Sequence, residues 1–175
     1  MKKLVFLALS ISFFLISQAQ VKTPAPSPLQ TIKQDFGLGT LEVSYSRPAV
    51  KGRKIFGDLV PFGNVWRTGA NSATTLTFSD EVSIGGVKIA PGKYGLLSIP
   101  NKDNWTIIIS KQSDVTSPAA YKQEMDIVRI NVATTELKYK IENFAIVIDN
   151  IKSNQCEIGL YWRSEEHTSE LQSRG

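Results

Sequence analysis

The sequence predicts an all-β fold, an antiparallel β-sandwich with one long basic loop and at most one short helix. Short stretches in which apolar and polar residues alternate recur along the chain, separated by turns rich in Gly, Pro and Asn. A period of two places successive side chains on opposite faces of a strand, and short strands at this spacing are typical of sandwiches and barrels. The length suits one domain with its own core.

Residues 1–19 predict a secretory signal peptide. Lys2 and Lys3 precede an apolar run, and small residues before Gln20 favour cleavage there. The alternative is a membrane anchor, but the run is shorter than the roughly 20 apolar residues that span a bilayer. We therefore expect an exported protein, periplasmic or extracellular, with no transmembrane anchor after cleavage. Residues 20–29 are rich in proline and predict an extended linker.

The sandwich domain is predicted at residues 30–162. The stretch at 40–46 is typical, because Leu41, Val43 and Tyr45 alternate with polar residues. The strand at 105–110 is strongly apolar, which predicts that both of its faces are covered. The predicted strands and hairpin are 30–36, 40–46, 73–79, 82–89, 94–99, 105–110, 127–133, 143–148 and 155–162.

One short helix is predicted at residues 117–125, with Ser117 as its N-cap and Pro118 at its first position. A further helical turn is predicted at 54–60. It would bury Ile55, Phe56 and Leu59.

A long basic loop at residues 45–75 interrupts the alternating strands. It holds five basic residues near a single acid, Asp58; the basic residues are Arg47, Lys51, Arg53, Lys54 and Arg67. In a structural interpretation, the arginines pair with strand carboxylates or loop carbonyls and pin the loop to the sandwich. In a functional one, basic side chains converge on an anionic or polyhydroxyl ligand, with Trp66 or Tyr94 as a stacking surface. Trp66 is also a candidate core residue.

The candidate ligand-binding residues are Arg47, Lys51, Arg53, Trp66, Arg67, Asn71 and Tyr94. We predict that at least two of Arg47, Arg53 and Arg67 line one concave patch near Trp66 and Asn71. Arginine suits such a site because its planar guanidinium binds a carboxylate, phosphate or sulfate through two hydrogen bonds at once.

The sequence lacks the residues that several kinds of catalysis and metal binding require. It has one cysteine and one histidine, and His167 lies in the C-terminal segment discussed below, so a Ser-His-Asp or Cys-His mechanism has no base and a zinc site has no ligand set. No phosphate loop or dinucleotide glycine pattern is present. We therefore predict no catalytic residue, no metal and no cofactor. Cys156 is expected to be a buried, inert thiol.

Hydrolysis by a pair of carboxylates remains the alternative function. Two acids facing each other at about 5–10 Å across a cleft would favour an enzyme acting on envelope glycans. A cleft lined by arginine and aromatic residues without paired acids would favour a binding protein. The basic excess outside the two chain ends is only about three charges, which is too small to predict nucleic acid as a partner.

A long segment, YSRPAVKGRKIFGDLVPFGNVWRTGANSATTLTF, followed by APGKYGLLSIP and WTIII, carries a family resemblance. It resembles the bacterial domain of unknown function 2911 family over roughly residues 29–162. The resemblance implies a secreted or periplasmic domain typical of the Bacteroidetes, with a further strand after Trp162, and it implies no activity. We expect a non-enzymatic binding or envelope-interaction module whose basic loop holds an anionic or carbohydrate ligand.

The C-terminal segment differs in character from the domain. Residues 163–173 read RSEEHTSELQS, which resembles the translation of a common sequencing adapter. We interpret residues 163–175 as a non-native tail and expect the domain to be truncated after Trp162. On this interpretation His167 carries no functional information. The tail should be exposed with few contacts, and the strand at 155–162 should lack its natural neighbour.

Overall fold

A computed structural model of the protein describes residues 23–135, 137–163 and 168–174. The predicted signal peptide and His167 lie outside these residues. The described chain forms eleven β-strands and two short 3-10 helices. The strands are β1 (Leu29–Phe36), β2 (Gly39–Ser46), β3 (Thr74–Phe78), β4 (Val82–Ile84), β5 (Val87–Ile89), β6 (Gly92–Pro100), β7 (Asn104–Ser110), β8 (Asp126–Thr135), β9 (Ile141–Asp149), β10 (Glu157–Arg163) and β11 (Thr168–Arg174).

Nine of these strands form one antiparallel sheet in the order β1-β2-β3-β6-β7-β8-β11-β10-β9. The other two, β4 and β5, form a separate hairpin. The hairpin turns at Gly85 and Gly86, both with positive φ (58° and 80°), as a primed two-residue turn requires. The predicted all-β, antiparallel class is confirmed, and the sheet curls into an open sandwich.

The chain after β2 joins the two halves of the sheet. Residues that continue from β2 bond to β9, which lies at the opposite end of the strand order. The amide of Val50 donates to Glu142 O (2.7 Å), and the amide of Phe144 donates to Pro48 O (2.9 Å). The Arg47 side chain adds a bond from Nε to Phe144 O (3.0 Å). These contacts bring β9 back towards β2, so the two halves of the sheet face each other.

The main hydrophobic core lies between the two halves. It contains buried residues from both, including Val43 and Leu76 on one side and Phe144 and Leu160 on the other. A smaller cluster lies outside the sheet, where Ile108 of β7 packs with Ala73, Leu97 and Val115. Because Ile107 and Ile109 face the main core while Ile108 faces the smaller cluster, both faces of β7 are covered, as its apolar sequence predicts.

The predicted helix at 117–125 is wrong in detail. The segment forms two 3-10 helices, Pro118–Ala120 and Gln123–Met125, and neither has a buried residue. Ser117 makes no capping hydrogen bond through its side chain. With no apolar stripe to bury, this sequence gains nothing from packing as a longer helix.

The helical turn predicted at 54–60 is also wrong. A bridge between Phe56 and Val60 closes a tight non-helical loop. Ile55 and Phe56 are buried as expected, but the side chain of Leu59 is 44% exposed.

The C-terminal segment contacts the domain more than expected. Thr168–Arg174 forms β11, which pairs with β10 along its length and with β8 at Thr134 and Thr135. The expectation of few contacts, and that of an unpaired β10, are therefore wrong for the described backbone. Strand pairing uses main-chain groups, so an open edge accepts many sequences. A strand after Trp162 agrees with the family resemblance, and the adapter origin of residues 163–175 stays a prediction.

Among the described residues, no helix has the length and apolar character needed to cross a bilayer.

Candidate functional site

A cleft of about 530 Å³ opens beside the basic loop. Its walls come from separate parts of the chain: the end of the linker, the basic loop, the connection that leads into the first 3-10 helix, and β10. The side chains that line it include Ser27, Arg53, Leu59, Asn64, Trp66, Arg67, Val115, Ser117 and Trp162. No acidic residue is among the described lining residues.

Trp66 forms the accessible aromatic surface of the cleft. Its backbone bonds in both directions with Ser98 of β6 (2.7 and 2.9 Å), and its indole Nε1 donates to Gly69 O (3.0 Å). The ring stacks on Trp162 with an interplanar angle of 16°. Because Trp66 is half-buried and Trp162 is buried, Trp162 supports Trp66 from the core. Trp66 thus serves as both a core residue and a cleft wall.

Arg67 is held at the cleft by one main-chain and one side-chain hydrogen bond. The backbone carbonyl accepts from the amide of Thr74 (3.0 Å), and one terminal nitrogen donates to Thr116 O. The Nε atom is buried and has no hydrogen-bond partner among the described residues. Because this atom is buried, any contact of Arg67 with a ligand in the cleft falls to the terminal nitrogens of its guanidinium.

Arg53 is the second guanidinium that lines the cleft. Two of its nitrogens donate to the chain just before it, from Nε to Val50 O (3.0 Å) and from Nη2 to Ala49 O (2.6 Å). A guanidinium carries five N–H donors, so these bonds orient the group and leave further donors for solvent or a ligand.

The backbone at Thr68, between Arg67 and β3, is held in an unusual conformation. Thr68 has a φ of 52°, which is rare for a β-branched residue. Buried hydroxyl groups hold it there: Thr68 Oγ1 lies 2.9 Å from Ser98 Oγ, and Thr74 Oγ1 donates to Thr68 O (2.6 Å). This network fixes the backbone at Thr68 and thereby the orientation of the neighbouring Trp66 and Arg67 side chains.

Four of the predicted site residues lie elsewhere and do not line the cleft. Arg47 bonds to β9, as described above. The amide of Lys51 donates to Glu142 Oε1 (2.9 Å) while its side chain is exposed. Asn71 Nδ2 donates to Ser46 Oγ (3.1 Å), and the hydroxyl of Tyr94 donates to Ala90 O (2.9 Å).

The cleft therefore brings together three of the predicted residues, Arg53, Trp66 and Arg67. The predicted concave patch with two arginines near Trp66 is present, although Asn71 is not part of it. Sequence reasoning missed Trp162 as a site residue because its strand pattern indicated a core face. It also missed the end of the linker, where Ser27 O accepts from Asn71 Nδ2 (3.4 Å).

The chain's relationship to known proteins agrees with the resemblance noted in its sequence. A family model described as "Protein of unknown function (DUF2911)" matches residues 27–170. The chain belongs to the DUF2911 family. No curated protein and no solved structure matches it. The family match covers every segment that lines the cleft, so the cleft is part of the DUF2911 domain itself.

A second polar cluster of this DUF2911 domain lies beside the 3-10 helices. The hydroxyl of Tyr121 donates to Asp126 Oδ2, and Arg129 Nη1 lies 2.7 Å from both the Tyr121 hydroxyl and the same carboxylate oxygen. Burial, followed by the hydrogen bond to Asp126, raises the pKa of Tyr121 to about 12. The side chain of Asp126 is only 6% exposed, so this cluster pins the segment to β8.

The remaining chemistry-bearing groups form no site of their own. Within the described part of the chain, no group of three or more His, Cys, Asp or Glu residues could hold a metal ion. Cys156 is a free thiol and is half-buried, so it is less buried than predicted. Burial raises its pKa, which favours the unreactive thiol over the thiolate.

Proposed function

We propose that this DUF2911 domain is a non-enzymatic binding module that holds a small anionic carbohydrate in the cleft between Arg53 and Arg67. The observation that carries the proposal is the combination of two guanidinium groups and a tryptophan in a cleft whose described lining contains no acid. Two positive groups in one concave surface attract an anion, and no acidic residue of the described lining neutralises their positive potential.

The donors of the cleft support an oxyanion ligand. The guanidinium groups of Arg53 and Arg67 each have more N–H donors than the bonds they make to the chain, and the planar fork of a guanidinium matches the geometry of a carboxylate or sulfate. The hydroxyl and amide side chains of Ser27, Asn64 and Ser117 also line the cleft. Such groups hydrogen-bond to the hydroxyls of a polyhydroxyl ligand.

The aromatic wall supports a ligand with one flat, less polar face. Trp66 is half-buried against Trp162, so it presents a rigid apolar surface beside the arginines. Binding sites commonly combine such apolar surfaces with a few placed polar groups. A uronic or sulfated sugar has both features, a ring face and an anionic group.

The alternative, a carboxylate-dependent hydrolase acting on envelope glycans, has less support. That chemistry needs two carboxyl groups flanking the bond that is cleaved, about 5–10 Å apart. The described lining of the cleft offers none. The arrangement of arginine and tryptophan without paired acids is the one that favours binding.

The proposal includes export to the cell envelope, where glycans of this kind are available. It rests on the signal peptide pattern of residues 1–19. Expression of the full chain in a bacterial host should yield a protein that begins at Gln20 and is recovered outside the cytoplasm. Retention of Met1 in a cytoplasmic product would contradict export without bearing on the cleft.

The binding proposal is tested by calorimetric titration of the mature protein with methyl glucuronide and, for comparison, neutral methyl glucoside. We expect saturable binding of the glucuronide only, weakened by added salt because the contact is ionic. Arg53→Ala and Arg67→Ala should each weaken binding about tenfold, equivalent to about 1.4 kcal/mol. Lys54→Ala is the matched control, because Lys54 is exposed in the same loop and does not line the cleft.

Two outcomes would contradict this function. Equal binding of the glucoside, or equal losses for Lys54→Ala and Arg67→Ala, would remove the role of the cleft arginines. An Arg67→Ala protein that unfolds, together with a parent protein that binds neither sugar, would make Arg67 a structural pin. Circular dichroism and thermal melting of each variant distinguish loss of binding from loss of the fold.

A further inference from the structure

A second cleft, of about 300 Å³, lies between β1–β3, the β4–β5 hairpin and the start of β10. Its lining is mainly apolar and includes Phe36, Leu41, Phe78, Ile84, Cys156 and Ile158. Below it is an inner cavity of about 30 Å³ lined only by Leu and Ile side chains. Ile84 and Ile158 line both spaces, so these two side chains form the partition between them.

We propose that this cleft binds a single unbranched aliphatic chain whose end reaches past Ile84 into the inner cavity. The inner cavity has no polar lining side chain, so water gains no hydrogen bonds there and an alkyl chain is the matching occupant. The described lining of the outer cleft has one charged residue, Glu81, and the neutral polar residues Ser83, Asn154 and Gln155. Glu81 is paired with Lys88 (2.8 Å), and the described lining offers no cationic side chain to a carboxylate, so this set favours a ligand with an uncharged polar head.

The hairpin that covers this space is attached in a way that permits entry of a chain. β4 and β5 pair with each other and form a sheet separate from the nine-stranded one. Apolar contacts hold the hairpin in place: Val82 and Ile84 pack against the main core, and a Cβ on Gly85 would come within 2.5 Å of Ile130 of β8. Side-chain packing alone adapts to a ligand more easily than a backbone ladder does.

The test uses the mature protein and the linear alcohols hexanol, octanol and decanol. We expect affinity to rise about fourfold for each added methylene until the space is filled. Decanoate should bind more weakly than decanol. Cys156 is the only cysteine and lines the outer cleft, so bound alcohol should slow its reaction with Ellman's reagent.

Two substitutions at the partition sharpen the test. Ile84→Ala should join the two spaces and shift the preference to a longer chain, whereas Ile84→Trp should block the cleft and abolish binding. Val87→Ala is the matched control, because Val87 pairs with Ile84 in the hairpin but is exposed and lines neither space. It should bind as the parent does.

Several results would overturn the proposal. They are the absence of saturable binding to the parent, an affinity that does not depend on chain length, and an Ile84→Ala protein with the same chain preference as Val87→Ala. If Ile84→Trp fails to fold, the alcohol series with the parent and with Ile84→Ala still decides the question. Tighter binding of decanoate than of decanol would overturn the uncharged head group.

Discussion

The indole rings of Trp66 and Trp162 stack with their centroids 5.8 Å apart. One ring belongs to the basic loop, and the other to β10 in the far half of the sheet. Phe56 and Phe144 meet the same pair edge-on. The loop is therefore anchored through its aromatic residues, and the position of the candidate site depends on this stack.

Trp66→Ala should lower the free energy of unfolding by about 3–5 kcal/mol, because it removes a large side chain at the centre of the aromatic cluster. Urea denaturation followed by circular dichroism measures the change. Leu38→Ala is the control: Leu38 is 104% exposed, so its substitution should change stability by less than about 0.5 kcal/mol. A loss at Trp66 no larger than that of the control would mean that the stack does not anchor the loop.

The strands could be predicted from the sequence because their signal is local. In β2 the alternation of apolar and polar residues predicts one covered face, and in β7 the apolar run predicts two. The observed burial agrees with both patterns. The 3-10 segment could not be predicted in this way, since Ser117 and Pro118 begin a helix and a 3-10 turn equally well. Its geometry depends on the Tyr121–Asp126–Arg129 cluster, which forms only when β8 is in place.

The site could be predicted only in part, because the number of basic residues in a segment does not indicate where their side chains point. Arg47 and Arg67 belong to the same basic loop, yet one bonds to β9 and the other lines the cleft. The side chain of Arg47 bonds to Phe144, 97 positions away, and that of Arg67 bonds to Thr116, 49 positions away. No local pattern carries that information.

Arg47→Ala should destabilise the junction between β2 and β9. The bond from Nε to Phe144 O (3.0 Å) involves a charged donor, and such bonds contribute about 1.5–3 kcal/mol. We expect a loss in that range and faster hydrogen exchange at the amides of Val50 and Phe144, which form the neighbouring bonds. Lys51→Ala, at an exposed side chain in the same loop, should leave exchange at both amides unchanged. Unchanged exchange in Arg47→Ala would show that the backbone bonds hold the junction without the side chain.

Tyr121 should make stability depend on pH in the alkaline range. Burial and the hydrogen bond to Asp126 raise its pKa from 10.0 to about 12, so the folded protein keeps a proton that the unfolded chain releases. The stabilisation is complete below pH 10 and is lost as the pH rises towards 12. The stability difference between the parent and Tyr121→Phe should therefore be constant below pH 10 and fall above it.

Denaturation series at several pH values measure this difference. Tyr139→Phe removes an exposed phenol and corrects for the general effect of losing one tyrosine. A parent-minus-Tyr121→Phe difference that stays constant up to pH 12 would contradict the prediction.

Removal of β11 should expose one edge of β10. β11 pairs with all seven residues of β10, from Glu157 to Arg163, and with two residues of β8. A chain ending at Arg163 would leave the N–H and C=O groups on that side of β10 without partners, and such an edge pairs readily with another molecule. We expect a lower melting temperature and concentration-dependent dimers in sedimentation experiments.

Two further variants separate this effect from that of shortening the chain. Deletion of residues 23–26, which are exposed, also shortens the chain but exposes no strand edge, and it should leave melting unchanged. Leu171→Pro keeps the length but removes one backbone donor at a position that faces both Leu160 and Thr134, so it should weaken the ladder. A chain ending at Arg163 that melts like the parent and stays monomeric would mean that β11 contributes nothing to stability, as expected for an exposed tail.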